Sequence, residues 1–170
     1  MRGLGRQFGL AGYVRPEYPP QGTPNVLPNR VSLPTLSQEV ASRLAVQFPQ
    51  AICRHNSRPV YARLEDLSAL RVDCWPQGLE RVRKNAAAFN RFSTIAIAIQ
   101  QHVDRQDIMD LATNFADDVL DFMIHSGRWC GGKLYCLDGS FVSTDVFDRL
   151  RKYEENVFQA ILSVRFRDFV

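Results

Sequence analysis

The sequence predicts an α+β domain: a twisted mixed or antiparallel sheet of about four to five strands, helices packed on one face, and an extended arm in front. Three stretches carry this prediction. Ile95, Ile97 and Ile99 alternate with Ala96, Ala98 and Gln100, the period-two pattern of a strand with unequal faces. Directly after it, Ile108, Leu111, Ala112, Phe115, Val119, Phe122 and Met123 recur at three-and-four spacing, one continuous stripe along a helix that starts near Asp104. The chain closes on Val157 to Phe169, where Phe158, Ala160, Leu162, Val164 and Phe166 define one face and Gln159, Ser163, Arg165 and Arg167 the other.

Composition sets the scale. At 170 residues, 45% hydrophobic and 23% charged, the chain suits one domain with a real core, and two would be cramped. The Ile95 to Ile99 run is too short to span a bilayer, and Arg2 and Arg6 have no apolar run behind them, so neither a membrane segment nor a signal peptide is expected. Cys53, Cys74, Cys130 and Cys136 lack the dense spacing of a disulfide scaffold, so reduced thiols in a cytoplasmic setting are expected. The net charge of +3 resides in residues 1–34, where Arg2, Arg6, Arg15 and Arg30 face Glu17 alone; the rest holds 17 basic and 17 acidic side chains. The globular part is therefore neutral and gives no composition-level case for nucleic-acid binding.

In chain order, residues 1–34 carry six of the nine prolines and half of the ten glycines, which break every helix. They form an arm with scattered Phe8, Tyr13, Tyr18, Val26 and Leu27, ordered against a partner; a disordered tail or a misplaced start codon is the alternative. A domain spans 35–170. Its first helix is predicted from Thr35 or Ser37, with Ser37 as N-cap, to Phe48, burying Val40, Leu44 and Phe48, with Pro49 as stop. Ala51 to Arg63 reads as extended with a bend at Pro59, and Leu64 to Leu70 as a turn or short helix. Leu70 to Trp75 is a short strand ended by Pro76.

Pro76 to Arg91 is predicted as a long basic loop, with Arg81, Arg83, Lys84 and Arg91 against Glu80. Its charge suits an acidic protein surface or phosphate, or else it is simply solvated. The central helix is predicted to start on Asp104 as cap with Asp107 in the first turn, and to stop at His125-Ser126-Gly127. Asp107, Asp110, Asp117, Asp118 and Asp121 line its outer face, either as a solvated surface, as a site for a basic partner, or as a surface that repels phosphate. Gly131-Gly132 makes a turn before a strand at Lys133 to Leu137, Asp138-Gly139 turns the chain again, and Ser143 or Thr144 caps a short helix burying Val146, Phe147 and Leu150. No internal repeat is present.

No reactive constellation is legible in the spacing of the chemistry-bearing residues. His55, His102 and His125 have no metal spacing to one another or to the cysteines, and Cys130 and Cys136 are too far apart for a paired thiolate site, so no metal is expected. Gly131-Gly132-Lys133 lacks the remaining features of a phosphate loop. The helix aspartates lie along one face instead of converging, which disfavours a Mg²⁺ nuclease. Nothing local supports a Cys–His nucleophile pair. The expectation is no catalytic residue, no cofactor and no enzyme.

The stretches Phe92-Ser-Thr-Ile-Ala-Ile-Ala-Ile-Gln-Gln, Ile108 to Met123, Asp138 to Phe141, Val157-Phe-Gln-Ala-Ile-Leu-Ser-Val-Arg-Phe-Arg and, upstream, Leu64-Glu-Asp-Leu-Ser-Ala-Leu-Arg-Val-Asp-Cys-Trp-Pro give the chain its family likeness. Together with the opening helix, from about Pro34 to Val170, the chain resembles the tail terminator (tail completion) proteins of tailed bacteriophages. The resemblance rests on hydrophobic patterns. It implies a twisted sheet with helices on one face and a ring at the virion neck, typically hexameric, that caps the tail tube and joins it to the head-side connector. The implied partners are other copies of the chain, the tail tube protein, a head-tail connector or stopper protein, and DNA passing through the lumen without sequence-specific binding. Assembly would take place in the host bacterial cytoplasm, with no membrane partner. The Pro/Gly-rich arm is a departure, since many relatives lack it, and a connector or stopper protein also fits. From another class, a stand-alone nucleic-acid or ligand-binding domain is the alternative.

On this reading Arg81, Arg83, Lys84 and Arg91 grip the tube or a neighbouring subunit. Ala96, Ala98, Gln159, Ser163, Arg165 and Arg167 form a subunit-interface strand face. Asp107, Asp110, Asp117, Asp118 and Asp121 face the channel or a partner, and Arg6, Tyr13, Arg15 and Tyr18 make arm contacts.

Overall fold

A computed structural model describes residues 30–60, 62–84, 89–142 and 156–168. The chain divides after Arg30, and the second unit, Val31–Val170, holds every element below. Helix α1 (Leu33–Gln47) precedes β1 (Ile52–His55), a 3₁₀ turn at Leu64–Asp66, β2 (Arg71–Arg83) and β3 (Phe89–His102); α2 (Gln106–His125), β4 (Arg128–Trp129), β5 (Leu134–Phe141) and β6 (Val157–Asp168) follow. The strands form one sheet in the order β1-β2-β3-β6-β5-β4, parallel at β1–β2 and antiparallel elsewhere. This is the expected α+β layer, with six strands because β1 and β4 are short additions at its margins.

The core lies between the helices and one sheet face. Ile95, Ile97 and Ile99 stand beside Val164, Leu162 and Ala160 in alternate rows, all fully buried. Helix α1 covers β1, β2 and β3, whereas α2 covers β5 and β6. A chain of edge-to-face aromatic contacts links them, from Phe115 through Phe48, Phe122 and Trp129 to Phe166. Such pairs add to the area they bury because the positive ring edge meets a negative ring face.

Several local expectations are corrected. The N-cap of α1 is Ser32, whose Oγ accepts from the Thr35 amide at 3.2 Å; Pro34 sits in the first turn, where its fixed φ suits a helix and its missing N–H is not needed. Ser37 lies inside the helix, buried, with its Oγ 3.0 Å from His55 Nδ1. Pro76 does not end its strand: β2 runs on to Arg83, and a bulge between Pro76 and Gly78 absorbs the proline. That is tolerated because β1 pairs only with Arg71 to Cys74, leaving Pro76 on an outer edge where no ladder amide is required. The expected basic loop is therefore largely a two-stranded ribbon.

Asp104 is not the cap of α2. Arg105 occupies that position without a side-chain cap bond and pairs instead with Asp107 at 3.3 Å. The Val103 amide donates to Asn156 O at 2.7 Å, which ties down the end of β3 and delays the helix. Leu111, expected in the core stripe, is 67% exposed, while Met109 and Ala116 are buried. Asp138 and Gly139 continue β5 past a bulge between Cys136 and Asp138 instead of turning the chain. Gly139 lies close under α2: a Cβ there would come 2.7 Å from Leu120 Cδ1, so that side chain would have to shift. The expected helix burying Val146, Phe147 and Leu150 lies outside the described residues, as does Phe169.

A two-signed candidate interaction surface

The second sheet face has two parts. At one end, Arg71, Gln100 and Gln159 form a buried row across β2, β3 and β6. Arg71 Nε donates to Asp73 Oδ2 at 2.6 Å, Asn56 Nδ2 donates to Asp73 Oδ1 at 2.7 Å, and the Ala62 amide donates to Gln100 Oε1 at 3.0 Å. The connection between β1 and β2 is thus tied to this end, and each buried charge or amide finds partners, as low-dielectric surroundings require. Ala96 and Ala98, expected on an outward interface face, are only 2% and 1% exposed beside Trp75, and Gln159 belongs to the buried row.

Toward the other end the face carries charge that the chain itself holds in place. Ser163 Oγ donates to Gln77 Oε1 at 2.9 Å, Arg165 Nη2 donates to Glu80 Oε2 at 2.7 Å, and Arg167 Nη2 donates to Asn90 Oδ1 at 3.0 Å. The Arg165 guanidinium also lies 4.1 Å from the centre of the Phe92 ring. These contacts flatten both arginines onto the sheet. Gln77, Glu80, Asn90 and Phe92 were not anticipated as their anchors, because the stretch from Pro76 reads as a loop until Gly78 is recognised as a bulge signal.

The basic cluster sits at the end of the β2–β3 ribbon. Arg81, Arg83 and Lys84 are exposed. Arg81 pairs in register with Arg91, but Arg91 turns inward and its Nη2 donates to Val31 O at 2.9 Å, ahead of α1. Arg91 therefore fastens the ribbon, while the other three present charge. On α2, Asp107, Asp110, Asp117, Asp118 and Asp121 are all exposed. Since α2 lies over β5 and β6, the acidic face and the basic ribbon occupy opposite sides of the strand order. The proposed arm residues Arg6, Tyr13, Arg15 and Tyr18 lie outside the described residues.

The thiols are poor nucleophiles. Burial, with Asp73 nearby, pushes Cys53 up to about 11, and burial raises Cys74 well above the ordinary range. Burial, then the Glu39 carboxylate, pushes Cys130 up to about 12, and burial with Asp138 takes Cys136 to about 11. All four are unpaired and, at neutral pH, protonated. The Ser37–His55 hydrogen bond joins a hydroxyl sealed inside α1 to an exposed ring, so no substrate reaches the serine. Among the described residues no three His, Cys, Asp or Glu converge to hold a metal ion. A depression of about 200 Å³ beside the start of α2, lined by Val103, Asp104, Arg105, Gln106, Met109 and Asn156, is open to solvent and brings no nucleophile and base together. No helix among the described residues is long and apolar enough to cross a membrane.

No protein-family model matches the chain. No curated protein matches it. Among solved structures the chain is similar to one from the virion of a native gene transfer agent particle, with a TM-score of 0.46 and 12% identity over 78% of this chain and 93% of that one.

Proposed function

We propose that the protein is a structural component of a tailed-phage virion that works as a ring of copies at the neck, terminating the tail tube and joining it to the head-side connector. The observation that carries this reading is the lateral separation of charge: a domain with equal numbers of acids and bases puts Arg81, Arg83 and Lys84 on one side of the sheet and five aspartates of α2 on the other. Opposite patches at two places on one subunit favour head-to-tail association, the kind that generates a ring when the rotation closes. The resemblance to tail terminators along 34–170 supplies the neck position, and protonated thiols fit a protein that acts through contacts. In such a ring the ribbon grips the tube or the next subunit and the arm reaches the adjoining ring, and an aspartate-lined lumen would keep DNA from adhering.

Charge reversal at Arg81, Arg83 and Lys84 tests this reading. Complementation with that variant is expected to yield heads and tails that fail to join, with the purified protein still folded. Normal joining would overturn the role of the ribbon. A monomer that binds oligonucleotides at low salt and releases them steeply as salt rises would favour a nucleic-acid-binding domain instead.

A further inference from the structure

Among the described residues, both margins of the sheet lack a strand neighbour at the same height. Strand β1 covers β2 only along Arg71 to Cys74, and the Asn56 amide adds one bond to Cys74 O; among the described residues no strand pairs with the outer edge of β2 from Trp75 onward. On the far margin β4 covers only Leu134 and Tyr135 of β5, leaving Cys136 to Phe141 similarly without a strand neighbour. The ladder places these edges on common rows. Trp75, Ala96, Ser163 and Ser140 form one row, and Leu79, Ser93, Phe166 and Cys136 another.

Between those rows each outer strand has one residue more than the inner strands. Trp75 to Leu79 takes four steps where Ala96 to Ser93 takes three, and Ser140 to Cys136 takes four where Ser163 to Phe166 takes three. The extra residues belong to the bulges at Pro76/Gly78 and Cys136/Asp138. A bulge usually spoils an edge for pairing, because the incoming strand no longer matches in length. Here the two edges have the same surplus at neighbouring rows, so they match each other better than either matches a regular strand. Their directions also agree: strands alternate from β2 to β5, so β5 of one copy set beside β2 of the next continues the antiparallel order. Exposed apolar side chains flank both edges, Leu79 and Val82 on one and Leu137 and Val142 on the other.

We infer that neighbouring copies join by strand addition, Trp75 to Leu79 of one subunit lying antiparallel beside Cys136 to Ser140 of the next, with Pro76 able to contribute only its carbonyl to the new ladder, so that the sheet runs on between subunits. This rests on the ring reading above and specifies its interface. The occupant of each edge is another copy of this chain, since the complementary edge is its own. Continuing the sheet also carries Arg81, two residues past the paired stretch, toward the next subunit's α2, which packs over β5 and bears Asp117 and Asp121.

The full-length chain with Leu79→Cys tests the pairing, because residue 79 would then lie opposite native Cys136 at a spacing a disulfide can close. Copper-phenanthroline oxidation of the assembled protein should give a ladder of covalent multimers on a non-reducing gel, abolished by adding Cys136→Ser. Val46→Cys, on the exposed side of α1, should give no ladder that depends on Cys136. Light scattering on the same samples separates the two claims: an assembled protein without the Cys136-dependent ladder overturns the pairing and leaves the ring reading standing, whereas a monomer at every concentration overturns both. As a second variant, Leu137→Lys puts a charge on the β5 edge and should reduce the assembly to monomers with an unchanged circular dichroism spectrum; undiminished assembly would count against the pairing.

Discussion

Glu39 shows how one side chain fastens a helix to a turn. Its Oε1 accepts from the Cys130 amide at 2.8 Å and meets Arg43 Nη2 at 2.6 Å, while the Arg43 guanidinium lies 4.4 Å from the Trp129 ring centre. The bond holds the turn where Cys130, Gly131 and Gly132 all have positive φ. Partial burial is the largest single influence on the Glu39 carboxyl and opposes its ionisation, but the Cys130 bonds and Arg43 together outweigh it and hold the pKa below the ordinary 4.5. Because folding lowers this pKa, the contribution is complete above the unfolded value and is lost as pH falls through the folded one. Glu39→Gln should therefore cost roughly 1 kcal/mol at neutral pH, with allowance for solvent screening. Denaturation midpoints of the two proteins should converge in acid; a gap that persists there would contradict the assignment. The four thiols should likewise react slowly with iodoacetamide at neutral pH, Cys74 slowest because it is fully buried. Fast labelling of native protein would show a thiolate that this structure does not provide.

At the scale of elements, α2 separates the sheet-facing arc from its rim. Met109→Ala removes a buried side chain and should lower stability by about 2–4 kcal/mol, whereas Leu111→Lys, two residues on, should stay within about 0.5 kcal/mol of the parent in urea unfolding. Equal effects would mean the helix is rotated from the orientation described. Leu111 and Ala112 both satisfy a three-or-four spacing from Ile108, so periodicity alone leaves the stripe about one residue wide of its true centre. The strands Ile95 to Ile99 and Phe158 to Phe166 were legible because mainly large apolar residues on one face alternate with small or mostly polar ones. The ends were not, for a shared reason: proline and glycine normally stop a strand, and here Pro76 with Gly78, and Asp138 with Gly139, sit at bulges on outer strands, where a lost amide or a kink is tolerated. The exposed basic and acidic residues were legible as surfaces, but Ala96 and Ala98 were not legible as buried, because the segment near Asn56 and Ala62 that ties to that face is irregular. Charge reversal at Arg81 and Lys84, on an exposed ribbon end, should change the melting temperature little while disrupting assembly.

In the unit Val31–Val170, the described residues lay two helices on one face of a six-stranded sheet, with the core between them and the basic ribbon and acidic helix face parted along the strand order. In the proposed ring one contact repeats, and salt should weaken it because exposed charges help to steer it. Whether copies close into a ring is read from electron microscopy of the purified protein paired with its mass in solution. Closed rings with one subunit number and a mass that is a fixed multiple of the 19.4 kDa chain are expected. A particle that stays at the mass of a single chain at every concentration, with no ring in the images, would contradict the ring reading.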